Sequence, residues 1–229
     1  DGTNAYTSTD MTVYVEDIPS NQVENWARVE ADRFMNPVLR GFHTELETVY
    51  EEKNMSLTND FRKALENLDG MLFPDHPYGT QTVLGTQEHL KNPSITNIKN
   101  YHKTYYVPNN MAICLSGDFD PDQMLSIIEK YFGQMEPNTE LPEVDFETKT
   151  VIESPVSKEV YGLDAENIMI GWKYPGAGTQ EALVADVVSY ILSNGSAGLI
   201  DLNLNQQQKV LGAQARSYTR PDAGKFLIM

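Results

Sequence analysis

Hydrophobic and polar positions along this chain of 229 residues follow two periods, one of about two residues and one of about three and a half. In residues 7–17, Met11, Val13 and Val15 alternate with Thr12, Tyr14 and Glu16, which predicts a strand. Pro19 and Ser20 interrupt it. Ser20 is placed to cap a helix whose apolar positions are Val23, Trp26, Ala27, Ala31, Phe34 and Met35. Pro37 and Gly41 bound that helix. A second, longer helical pattern covers residues 44–68, with Leu46, Val49, Leu57, Phe61, Leu65 and Leu68. Pro74, Pro77 and Gly79 mark a loop. Asn92 before Pro93 reads as a cap with proline in the first helical position, opening a helix through Ile95 and Ile98 to residue 105.

Residues 111–118 form a short apolar run suited to a buried strand, with Cys114 as a core residue. Asp120, followed three residues later by Gln123, has the form of a capping box. The helix it opens carries Met124, Leu125, Ile127, Ile128 and Phe132, and Gly133 closes it. Residues 134–150 hold two prolines, four glutamates and an aspartate, and read as an exposed linker. Beyond it the pattern predicts a strand at 168–174, a helix at 179–194 ending at Gly195, a further helix at 198–210, and strands at 210–218 and 225–229. Helices and strands are mixed without strict alternation, which favours an α+β fold. The strand–helix–strand content recurs on both sides of the linker.

Composition narrows the function classes. With 17 Lys+Arg against 33 Asp+Glu, the net charge is −16. That excess argues against nucleic acid and anionic membrane surfaces, and is compatible with metal, with cationic peptide or merely with good solubility. At 40% hydrophobic and 10% aromatic residues the chain is too apolar for disorder, and it is long enough for one large domain or two small ones. A single cysteine excludes an internal disulfide. No apolar run approaches the ~18 residues of a membrane span. The compartment stays open, a bacterial extracytoplasmic one included. The chain starts at Asp1, which reads as a piece of something longer.

Candidate chemistry begins with metal ligands. His43, His76, His89 and His102 are never three or four residues apart, and neither His-Glu-x-x-His nor its inverse occurs. Residues 43–55 carry Glu45, Glu47, Glu51 and Glu52. Seven residues of α-helix turn through about 700°, so Glu45 and Glu52 project from one side. Such a pair can supply one metal ligand and its supporting partner, or be an ordinary solvated acidic face. Residues 193–196 lack a nucleophile elbow, Gly176 and Gly178 read as a turn, and Tyr101, Tyr105 and Tyr106 read as packing.

Several segments resemble the pitrilysin/insulinase family of zinc peptidases, which includes the mitochondrial processing peptidases. Gly-Thr-Asn-Ala-Tyr-Thr at 2–7 and on to Val15 resembles the strand after the family's active-site helix. Ala-Asp-Arg at 31–33, Glu-Leu-Glu-Thr-Val-Tyr-Glu-Glu at 45–52, His-Pro-Tyr-Gly at 76–79 and Tyr-Tyr-Val-Pro-Asn-Asn-Met at 105–111 follow in the family's order. The match after the linker is looser, since the family's Ser-Arg-Leu and Arg-Glu segment is poorly kept around residues 198–208. The resemblance implies a two-layer sheet-plus-helices fold of the LuxS/mitochondrial-processing-peptidase type. It implies a first domain at 1–135 truncated at its N-terminus, an acidic linker at 136–155 and the start of a second homologous domain at 156–229.

By the same resemblance, Glu52 matches the zinc-ligating glutamate and Glu45 the acidic residue that supports it. Asn4, Ala5, Tyr6 and Thr7 match the edge strand on which substrate is laid by β-addition. The loop at His76–Gly79 lies near the family's site and reads as structural. The family's His-x-x-Glu-His, which supplies two zinc ligands and the general base, would fall shortly before Asp1. The implied function is therefore a fragment of a zinc metalloendopeptidase acting on peptide substrates, with a second homologous half or subunit as partner. The fragment itself is expected to be inactive and not to hold zinc alone. Two other readings stay open: a non-catalytic peptidase-like subunit, and an acidic α+β binding domain unrelated to zinc.

Overall fold

Period-two alternation does make a strand at the start of the chain, but it pairs with a neighbour just upstream. In the computed structural model, which describes residues 2–143, 146 and 151–229, β1 (Gly2–Thr7) and β2 (Thr12–Asp17) form an antiparallel ribbon. Its register runs from Gly2 opposite Asp17 to Thr7 opposite Thr12. Residues 8–11 are the turn, so the strand expected over 7–17 begins at Thr12. There follow α1 (Val23–Met35), α2 (Phe42–Leu57), α3 (Asp60–Leu72), the short α4 (Pro77–Thr80) and α5 (Gln87–Lys91), α6 (Ile95–Tyr105) and α7 (Pro121–Phe132). After the linker come β3 (Ile170–Pro175), α8 (Gln180–Leu192), a π-helical turn (Asp201–Asn205), β4 (Ala215–Thr219) and β5 (Ala223–Ile228). The mixture of helices with two small sheets is the expected α+β class.

Two compact units result, and α2 contributes to both. The first comprises residues 1–7, 11–50 and 88–144. Its core is the contact of α1 with α7. Ala27 and Ala31, four residues apart and fully buried, let α1 approach Phe132 closely. Trp26, Phe34, Ile127 and Ile128 ring that contact. Ser20 does not cap α1: a 3-10 turn (Ser20–Gln22) intervenes and no side chain bonds the first N–H groups. Ser94, not Asn92, caps α6, its Oγ accepting from the N–H of Asn97 at 3.2 Å. Pro93 thus precedes the helix. The capping box of α7 is present, with Asp120 Oδ1 accepting from Gln123 N–H at 2.8 Å.

The run at 111–118 is not a strand, and Cys114 is exposed and not in the core. A strand needs a hydrogen-bonded neighbour, and none among the described residues pairs with this run. Part of the expected linker is docked: Asn138 exchanges hydrogen bonds with Asn109 and donates to the Thr104 carbonyl. Residues 144, 145 and 147–150 of that linker lie outside the described residues.

The second unit comprises residues 8–10, 51–87 and 145–229. Here the long helix expected over 44–68 is broken at Thr58 and Asn59. The Asn59 side chain caps α3 through Arg62 N–H at 2.8 Å, a local bond that outcompetes helical continuation. The sheet is antiparallel in the order β3-β5-β4. Leu68 and Leu72 of α3, with Phe73 and Tyr78, bury against Ala223 and Leu227 of β5. Gly171 permits that approach, since a Cβ there would lie 3.0–3.2 Å from the methyls of Leu72, Leu227 and Leu68. The Tyr174 ring covers Gly224, its register partner.

Thr179 caps α8. The helix expected at 198–210 shortens to the π turn, and the following strand starts at Ala215, not 210. Asp201 and Asn205 explain the shortening. The Asp201 carboxylate accepts from the N–H groups of Asn194, Gly195 and Gly198. The Asn205 amide is tied to both backbone groups of Ala213 at 2.8 Å. These side-chain bonds hold the backbone in turns on either side. No helix among the described residues is long and apolar enough to cross a membrane.

Candidate functional site

All six residues of β1 are exposed, and among the described residues only β2 pairs with it. Asn4, Ala5, Tyr6 and Thr7 stand opposite Val15, Tyr14, Val13 and Thr12. The Ala5 N–H is bonded to Asn4 Oδ1 at 2.9 Å, so a side chain, not a strand, satisfies it. Apart from that local bond, no described strand occupies the outer edge of β1, and an edge of this kind is where an extended chain can add.

At the Gly2–Asp17 end, the ribbon and α1 enclose an open groove of about 640 Å³ lined by Glu16, Asp17, Gln22, Trp26, Glu30 and Arg33 among others. Trp26 Nε1 donates to Glu16, and Arg33 pairs with Glu30 and, at 3.6 Å, with Glu16. Burial lifts the Glu30 carboxyl above the usual range; Arg33 draws it back, and hydrogen bonding with Glu16 lifts it further. Tyr14, beside this cluster, is pushed up to about 12, first by burial and then by its bond with Tyr106.

Glu45 and Glu52 both lie on α2 and both are exposed. The buried side of α2 is set by Lys53 and Ser56, which turns Glu52 outward. No group of three or more His, Cys, Asp or Glu among the described residues is placed to hold a metal ion. A zinc site takes three protein ligands or more, so these two carboxylates are not a zinc site by themselves; Glu52 can offer one oxygen ligand.

His76 is wholly buried and caps α4, its Nδ1 accepting from Tyr78 N–H at 3.1 Å. Its Nε2 lies 3.4 Å from Asp222 Oδ2. His43 and His89 are exposed and His102 stacks on Tyr106 at 4.5 Å, so none of the four histidines joins Glu52 in a cluster. Sequence reasoning passed over Asp201 and the Lys225–Asp69 pair. Lys225 sits within an apolar strand pattern, and only three-dimensional pairing reveals its partner.

The family model described as "Peptidase M16 inactive domain" matches residues 94–229. A probable mitochondrial-processing peptidase subunit beta of Schizosaccharomyces pombe is 29% identical over 140 residues, 60% of this chain and 30% of that protein. An uncharacterized zinc protease of Mycobacterium leprae is 30% identical over 133 residues, 57% of this chain and 29% of that protein. A protease of Helicobacter pylori of known structure shares the fold at a TM-score of 0.84 and 21% identity, over 99% of this chain and 56% of that one. The chain thus spans about 30% of the length of these two curated relatives.

Proposed function

Since the chain belongs to the peptidase M16 family of zinc metallopeptidases, we propose that it is part of a zinc-dependent metalloendopeptidase that hydrolyses peptides or small proteins. The observation that carries this reading is the open outer edge of β1. Main-chain hydrogen bonds to such an edge bind an extended peptide independently of its sequence. In this reading Asn4–Thr7 align the substrate, Glu52 offers one carboxylate to the metal, and Glu45 supports it from the same helix. The remaining donors and the general base come from elsewhere in the whole protein, as does the second homologous half that closes over the substrate. The resemblance supports reading the chain as a first domain at 1–135, a linker at 136–155 and the start of a second domain at 156–229.

The chain of 229 residues alone is then inactive, because no His-x-x-Glu-His occurs in it. Incubating an extended decapeptide with the full-length protein and with this chain tests the reading by mass spectrometry. Cleavage by the full-length protein only is expected. Cleavage by the isolated chain would mean that its own residues complete a site.

A second reading, a non-catalytic peptidase-like subunit, is favoured by one observation: the matching family model describes an inactive domain. Absence of His-x-x-Glu-His upstream of Asp1, with no cleavage by the full-length protein, would select it.

A further inference from the structure

No residue of β1 or β2 is buried; Val13 and Glu16 are the half-buried ones. The ribbon therefore has no apolar core of its own, and a stripe of α1 seats it. Trp26, Glu30 and Arg33 follow one another at spacings of four and three, on one side of that helix. Tyr14 and Glu16, two apart on β2, meet this stripe with one face of the strand. Trp26 Nε1 donates to Glu16, and Arg33 pairs with Glu16 at 3.6 Å and with the buried Glu30. The Arg33 guanidinium also lies over the Tyr14 ring at 4.8 Å, and Phe34 meets that ring edge-on at 5.2 Å. Arg33 thus touches both ribbon residues and is tied through Glu30 to its own helix. The bond from the Tyr14 hydroxyl to that of Tyr106, at 3.4 Å, is a looser hold.

The register carries this hold across to β1. Glu16 stands opposite Thr3 and Tyr14 opposite Ala5. Directly opposed residues share a face, so Thr3 and Ala5 stand on the α1 side and Asn4 and Tyr6 on the other. A two-stranded ribbon is marginal by itself, so what seats β2 decides where β1 lies. We propose that Arg33 is a positioning residue for peptide binding: by fastening Tyr14 and Glu16 to α1, it sets where the outer edge of Asn4–Thr7 lies. Arg33 does not touch the peptide. Lysine is no equal substitute, since a planar guanidinium pairs with carboxylates while covering a ring and an ammonium is a point charge. The inference rests on the reading of β1 as the substrate strand.

The test uses the full-length protein, a fluorescein-labelled extended decapeptide, and amide hydrogen exchange over residues 2–7. Anisotropy is read with chelator present, so that the peptide is not cut. Arg33→Met keeps the length of the side chain and removes its ion pairs and the cation over Tyr14. It is expected to weaken peptide binding about tenfold, the worth of one hydrogen bond to a charged group, and to speed exchange in β1. It also leaves Glu30 buried without its partner, so Arg33→Met/Glu30→Gln is measured beside it and should bind no better. Glu16→Gln keeps an acceptor for Trp26 and loses the charge that Arg33 pairs with. It should weaken binding in the same direction, and adding it to Arg33→Met should cost nothing further. Arg33→Lys keeps the charge without the fork and should recover only part of the loss. A merely structural role would lower the melting temperature and leave the peptide Kd unchanged. That result, or additive losses from Arg33→Met and Glu16→Gln, overturns the proposal. Ala5→Pro removes an edge N–H and separates the two ideas. If it weakens binding while Arg33→Met does not, the positioning role alone fails. If it has no effect, or no peptide binds, the substrate-strand reading fails and the positioning role with it.

Discussion

The Lys225 ammonium, on the central strand of the three-stranded sheet, is buried against the Asp69 carboxylate of α3. It takes the place in β5 between Ala223 and Leu227 that an apolar residue would fill on a strand facing a helix. Burial pushes its pKa down, and Asp69 only partly opposes that. Removing Asp69 leaves a buried cation without its partner. Asp69→Ala is therefore expected to cost about 3–5 kcal/mol in urea unfolding, as breaking other buried pairs does. The double variant Asp69→Leu/Lys225→Met should recover most of it. The pH dependence has a definite sign. A lysine with a depressed folded pKa binds fewer protons folded than unfolded, so stability rises with pH through the window between the two values. Asp69→Ala should steepen that rise on the alkaline side.

Gly79 is the tightest backbone contact around α4. Gly79→Ala drives a Cβ into two carbonyl oxygens of the α3 C-terminal turn. The cost expected for such overpacking is about 1–3 kcal/mol, read as a lower melting temperature by calorimetry. An unchanged melting temperature would mean that α4 can shift off α3.

Asp201 gathers three backbone N–H groups, and the first of these, from Asn194, is the main influence holding its carboxyl below the usual range. With the folded pKa lowered, its contribution is present above the unfolded value of about 3.9 and is lost as pH falls through the lower folded value. Asp201→Asn should lower the urea midpoint at pH 7, and its gap from wild type should narrow below about pH 4. A constant gap across that range would assign the effect to shape and not to charge.

The elements whose signals are local were readable from the residues alone. The capping box at Asp120 and the apolar spacing of α7 hold as expected. Errors occur where a side chain competes with the helix or where a strand depends on a distant neighbour. Asn59 divides one periodic stretch into two helices, and the bonds of Asp201 and Asn205 accompany a helical segment that ends at residue 205. Residues 111–118 have a strand's composition without a described partner. The candidate site was readable only through resemblance. Spacing puts Glu45 and Glu52 on one side of α2, but two exposed carboxylates on a helix look the same whether they serve a metal or the solvent. The Asp10–Tyr78 bond spans 68 residues and has no periodic signature.

Whether Glu52 holds zinc is decided by the zinc content of the purified full-length protein, with and without Glu52→Gln. About one zinc per chain is expected in wild type, as a single mononuclear site requires, with loss of most of it in Glu52→Gln and the far-ultraviolet circular dichroism unchanged. Glu45→Gln should weaken retention less. Zinc content equal in wild type and Glu52→Gln, or no zinc in either, would contradict it.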